Sequence, residues 1–258
     1  MKKVWITSLA QDESRVQTLM SLLQTYGLQP GGHFWLDDLA KMGWAGPREE
    51  LAAKETALWL IMGPAASLDQ QSVRLGLSLL SLAVQADRGH AFPVLFLVTE
   101  GELQAEALPT PLRGVEVLPF ASPTLGAKIS ARAGLAPKPL PVDYRLELHA
   151  VPGIGLWFEV GPAKGHAWKG AMFGVAGGEI DSHAVGPLGH LPERAVLNYP
   201  SKGLKLQAGE TEYTAWAVQN ELDDQTAYFV RVKGTPAAVL FGSFSESDAA
   251  EVFTLSLC

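Results

Sequence analysis

Residues 33–63 read HFWLDDLAKMGWAGPREELAAKETALWLIMG. A short apolar run, Phe34-Trp35-Leu36, leads directly into two carboxylates, Asp37 and Asp38. A loop carrying Gly43, Trp44, Gly46 and Pro47 follows, and then a helical pattern over residues 47–55. Pro47 suits a first helical turn, and Arg48-Glu49-Glu50 puts acids where a helix N-terminus favours them. A second apolar run, residues 57–62, closes the stretch. Two buried strands separated by a turn-rich loop and a helix are the signature of a βαβ unit.

The same alternation extends to either side. Residues 3–9, KVWITSL, form a compact β-branched run that reads as a buried strand. Asp12-Glu13-Ser14 supplies capping chemistry for a helix whose apolar positions Val16, Leu19, Leu22 and Leu23 recur at helical spacing and stop at Gly27. Downstream, residues 68–85 predict a nearly buried helix, residues 91–98 a fourth strand and residues 115–120 a fifth. A last helix runs from Ser122-Pro123 to about Gly134. Five strands alternating with helices predict a flavodoxin-like parallel sheet with helices on both faces, whose ligands sit beyond the strand C-termini. Asp37 and Asp38 fall on that edge.

At residues 136–142 the chain changes character. Ala136-Pro137-Lys138-Pro139-Leu140-Pro141 is a proline-alternating, extended linker. Beyond it, segments such as YRLELHA, GLWFEV, TEYTAWAV and QTAYFVRV alternate apolar and polar residues, separated by Pro-Gly, Gly-Gly and Lys-Gly turns. Roughly eight to ten short strands are expected, hence an antiparallel β sandwich or barrel. The domains are therefore 1–135 (α/β), 136–142 (linker) and 143–258 (all-β). A single helical turn is expected at residues 245–251.

Composition narrows the function classes. Hydrophobic residues make up 47% and charged residues 18%, a globular balance. Residues 1–140 hold 12 Lys/Arg against 13 Asp/Glu, while residues 141–258 hold 8 against 14, so the net charge of −7 lies mostly in the second half. Neither half offers the basic stripe that nucleic acid requires. No run of about 18 apolar residues suggests a membrane span, and the brief apolar run after Lys3 reads as a strand rather than a leader. The single Cys258 excludes an intrachain disulfide and any multi-cysteine metal site. A cytoplasmic setting is expected.

The first half resembles a TIR (Toll/interleukin-1 receptor) domain. The resemblance rests on Phe34-Trp35-Leu36-Asp37 at the second strand, on Gly43-Trp44 and the helix opening at Pro47, and on the apolar third strand. It rests also on Leu108-Pro109-Thr110-Pro111-Leu112 before the short fifth strand. It implies a five-stranded flavodoxin-like domain serving association or, in some members, NAD hydrolysis. The hydrolytic members use a glutamate on the helix after the third strand. Here residues 70–86 contain no Asp or Glu. Lacking a carboxylate to offset charge in a ribosyl cation, the chain is not expected to hydrolyse NAD.

Five residues are candidates for a ligand or interface: Asp37, Asp38, Trp44, Pro47 and Ser72. Paired acids could hold a ribose or a metal, or simply cap turns. Trp44 on a glycine-flanked loop could be a binding anchor or fold back on its own sheet. A phospho-receiver reading fails because Val98-Thr99-Glu100 offers no lysine. The glycine clusters at 152–155 and 174–178 are followed by strands, not helices, and so read as turns. His183 and His190 are expected at the surface, and Trp157, Trp168, Trp216 and Phe229 in the β-domain core. No catalytic residue, cofactor or metal is expected. The leading expectation is a non-enzymatic module that self-associates or binds a protein partner. The alternatives are a nucleotide-processing enzyme at the Asp37 edge, acting on a small nucleotide, and a carbohydrate- or peptide-binding β domain.

Overall fold

A computed structural model describes residues 1–244 and 251–258. The chain divides into two compact units, Met1–Leu140 and Pro141–Cys258. The helical turn expected at 245–251 falls almost wholly on residues outside those described.

The first unit is an α/β domain. Its strands are β1 (Lys3–Ser8), β2 (Gln29–Phe34), β3 (Thr56–Gly63), β4 (Val94–Val98) and β5 (Glu116–Pro119), all parallel, in the order β2-β1-β3-β4-β5. That order is flavodoxin-like, with its topological switch point between β1 and β3. Four helices pack on the two faces: α1 (Glu13–Thr25), α2 (Arg48–Ala52), α3 (Gln71–Arg88) and α4 (Leu125–Gly134). The chain moves outward from β1 to β2, then crosses back past β1 to β3 and on to β4. Right-handed crossovers therefore put α1 and α3 on opposite faces.

Side-chain alternation along the strands builds one core per face. Val4, Ile6, Leu58, Leu60, Leu95 and Leu97 meet Leu19 and Leu23 of α1 and Ile129 of α4. Residues of the other parity, among them Thr7, Trp59, Ile61 and Phe96, are equally buried on the opposite face. There the Trp59 indole donates a 2.8 Å hydrogen bond to the Thr7 hydroxyl. On α3, eleven residues between Val73 and Val84 are buried. No α-helix joins β4 to β5 among the described residues. The Leu-Pro-Thr-Pro-Leu segment instead forms a 3₁₀ turn at Thr110–Leu112, to which α3 is tied by Ser81 and Gln85.

Several boundaries differ from expectation. β2 spans Gln29–Phe34, not 33–36, so Trp35 and Leu36 already belong to the loop. Odd-numbered residues bond inward to β1 from the start of β2 to just past its end, as Gln29 N–H to Lys2 O and Trp35 N–H to Ser8 O show. α2 is a single short helix after a 3₁₀ turn at Gly43–Ala45, with Pro47 at its N-cap rather than inside its first turn.

The second unit is an antiparallel β sandwich with nine strands among the described residues. One sheet has the order β10-β11-β8-β13-β14 (Ser201–Ala208, Thr211–Val218, Ala171–Ala176, Ala238–Ser243, Val252–Ser256). The other has the order β6-β7-β12-β9 (Tyr144–Val151, Gly155–Pro162, Thr226–Lys233, Glu179–Pro187). Phe158 of one sheet packs on Phe173 of the other, with ring centroids 5.0 Å apart, and Phe173 stacks on Phe241. No helix among the described residues is long and apolar enough to cross a membrane.

Candidate functional site

The loop after β2 is built from the inside out by two tryptophans and a glycine. Trp44 is only 3% exposed. It packs on α3 at Gly76, where an added Cβ would lie 2.7 Å from the Trp35 ring and 3.4 Å from the Trp44 Cβ. Trp44 thus folds back onto its own domain, and Pro47 beside it is also buried. Gly43 is needed at the loop neck: its amide donates to Asp38 O at 2.8 Å, and a Cβ there would meet the Leu36 carbonyl at the same distance. Met42 takes a left-handed conformation at φ 55° to make this reversal.

The acids are used locally. Asp38 accepts from the Lys41 amide at 2.9 Å and lies 3.3 Å from the Lys41 ammonium. That amide chiefly, with the ammonium, lowers its pKa. It caps a turn. Asp37 accepts a 2.7 Å hydrogen bond from the Ser72 hydroxyl in the first turn of α3. The N-cap of α3, Gln70, makes no side-chain cap hydrogen bond, so a carboxylate from another loop supplies the negative charge the helix end favours. Asp37 and Ser72 are therefore brought together. Trp44 and Pro47 support the loop from beneath, and Asp38 points back into it.

Above the β1/β3 switch point the strand C-terminal edge is covered by packing and ion pairs. Leu9, just after β1, sits over Gly63 at the end of β3, where a Cβ would come within 2.8 Å of it. Leu9 therefore occupies the switch point itself. Arg15 spans the loops above, 2.8 Å from Glu100 and 3.4 Å from Asp12, while Asp12 caps α1 through the Arg15 amide. A cleft of about 380 Å³ lies between α1 and β2, with Glu13, Gln17 and His33 as its polar wall. None of Asp37, Asp38 or Ser72 lines it. His33 accepts from the Trp5 indole at 3.2 Å, and burial pulls its pKa to about 4. The large apolar side chain this edge presents outward is Leu36, 61% exposed at the head of the loop among exposed polar residues. Sequence reasoning passed over Leu36 because it was counted as the last residue of a buried strand.

In the second unit the aromatic assignments divide. Trp168 and Phe229 are buried, but Trp157 and Trp216 are only half-buried. The Arg231 guanidinium lies 5.4 Å from the Trp157 ring, and the Lys202 ammonium 4.2 Å from that of Trp216. Cations cover these faces.

His183 is not at the surface. It is 5% exposed, bonded through Nδ1 to the Tyr228 hydroxyl at 2.8 Å and set edge-on to Trp216. Burial first, and then Lys202, bring its pKa to about 4. Alternation located its strand but could not tell which face the sandwich would bury. His190 is exposed.

Asp181 pairs with Arg231 and Lys233. A buried Glu159 bonded to His149 at 2.6 Å and to the Gly189 amide was not anticipated. It anchors the Gly189 loop to the sheet. The glycine clusters at 152–155 and 174–178 lie in or beside the turns between β6 and β7 and between β8 and β9. Among the described residues, no three His, Cys, Asp or Glu side chains converge as a metal site.

No family model matches the chain, and no curated protein matches it. Among solved structures, the chain is similar to a pilus assembly-related protein of Burkholderia pseudomallei. The two share 16% identity at a TM-score of 0.36, over 52% of this chain and 90% of that one. A likeness of this degree carries no argument about activity.

Proposed function

We propose that this chain is a non-enzymatic, cytoplasmic TIR-like module that associates through the loop after β2 with a second copy of itself. In this reading the β sandwich is joined to it as a domain that binds a protein or small ligand. The observation that carries the proposal is the use of the edge residues. Asp37 and Asp38 are bonded to Ser72 and Lys41, and Leu9 and the Arg15 to Glu100 pair cover the switch point. Leu36 stands out into solvent. An enzyme working through the paired acids would need an open crevice faced by one of them, and neither Asp37 nor Asp38 lines the cleft between α1 and β2. The TIR likeness is supported by the 2-1-3-4-5 strand order and by the Leu-Pro-Thr-Pro-Leu turn before β5.

Light scattering after size-exclusion chromatography tests the association. The wild-type chain is expected to show concentration-dependent dimerisation that Leu36→Asp abolishes. A chain that stays monomeric at high concentration would refute it, as would a dimer indifferent to Leu36→Asp. In parallel, incubation with NAD is expected to release no nicotinamide. Turnover that disappears in Asp37→Ala would overturn the non-enzymatic reading.

A further inference from the structure

The N-terminal edge of the parallel sheet, opposite the loop just described, carries a cleft of about 580 Å³ inside the first unit. It lies between the entries to β4 and β5 and the C-terminal ends of α3 and α4. Arg113, Arg132 and Lys138 line it, together with Gln85 and His90, and no Asp or Glu does. The arginines and the lysine have no ion-pair or hydrogen-bond partner for their charged groups among the described residues. Several cations elsewhere in the chain are paired instead. Lys3, Arg15, Lys41, Arg48, Arg231 and Lys233 each face a carboxylate.

Arg132 also answers the dipole of α4, in whose last turn it sits. Arg113 and Lys138 are on non-helical segments and have no such role. Burial lowers the pKa of His90, so near pH 7 it is a neutral hydrogen-bonding group and not a fourth cation. The walls are apolar: Phe92, Val94 and Pro111 on one side, with Leu135 and Leu140 on the rim at 62% and 59% exposure.

We infer that this cleft binds a small organic anion with an apolar or aromatic body, of the nucleoside phosphate class. Three cations along one cleft that no Asp or Glu lines favour a phosphate, and guanidinium groups hold it by paired donors. Leu135 and Leu140 lose water when a flat apolar body enters, a gain that inorganic phosphate cannot provide. The volume suits a ligand of this size. Because Lys138 and Leu140 belong to the proline-rich segment, an occupied cleft also holds that segment against the α/β domain.

Isothermal titration of the full chain with ADP, adenosine and inorganic phosphate at low salt tests this. Saturable ADP binding is expected, weakening as salt rises, with adenosine and inorganic phosphate each binding more weakly than ADP. Arg113→Glu should weaken ADP binding by about tenfold or more. Arg113 is exposed on a turn, and Lys138→Glu is a second variant at an independent position. No saturable ADP binding, or ADP affinity unmoved in both variants, would overturn the inference. Inorganic phosphate binding as tightly as ADP would overturn the assignment of an organic body. None of these readouts depends on oligomeric state, so they stand or fall separately from the association through Leu36.

Discussion

Replacing Trp44 with alanine distinguishes a structural tryptophan from a surface anchor. The side chain is 3% exposed and packs on Gly76 of α3, beside Trp35. Truncating a buried aromatic of this size costs about 3–5 kcal/mol, through lost transfer energy and the cavity left behind. In a unit of about 140 residues, each kcal/mol moves the melting temperature by roughly 3 °C. Trp44→Ala is therefore expected to lower it by about 10–15 °C. All four described α-helices lie between Glu13 and Gly134. Ellipticity at 222 nm thus follows the first unit almost alone, whatever the β sandwich does. Leu36→Asp on the same loop is the matched control and, compared at concentrations where the wild-type chain is monomeric, should stay within about 0.5 kcal/mol of it. A loss below about 1 kcal/mol in Trp44→Ala, accompanied by altered association, would refute the packing argument and restore Trp44 as an anchor.

Two further outcomes follow from buried polar groups. Thr7→Val strands the fully buried Trp59 indole N–H and should cost about 1–3 kcal/mol in urea titrations. Adding Trp59→Phe should cost less than the two single changes summed, by about 1 kcal/mol. The histidines predict a pH dependence. Burial holds His33 and His183 at about 4, against 6.5 in an unfolded chain. The unfolded chain therefore binds more protons in that window, so stability is full above pH 6.5 and falls as pH drops toward 4. The loss is on the order of 1 kcal/mol per histidine after allowing for solvent access. Urea midpoints in His33→Gln and His183→Gln should each be flatter over this range, and an unchanged slope in both would remove the histidines as its cause.

What the sequence revealed follows from which signals are local. Apolar runs alternating with helical periodicity placed five parallel strands and their helices, because each signal lies within one element. β2 was misplaced because Pro30-Gly31-Gly32 reads as a turn. In the fold a Cβ at Gly32 would sit 2.5 Å from the Ile6 carbonyl, so glycine is there for the close approach of β1. Trp44 could not be assigned because its partner Gly76 is 32 positions away, on a helix whose docking no local pattern encodes. The pairing of Asp37 with Ser72 is of the same kind. Both residues were singled out, but only the fold shows that one supplies the other's helix with its missing charge. In the sandwich, alternation marks the two faces of a strand without saying what covers each, hence the misread His183 and Trp216.

β2 has one more consequence. It is an outer strand of the parallel sheet, and its even-numbered residues point their amides away from β1. Pro30 is one of these and has no N–H to give. Only Gly32 and Phe34 are left to offer outward donors along the whole strand, too few to template a growing ladder. This margin of the domain is thus a poor template for open-ended, fibril-like stacking.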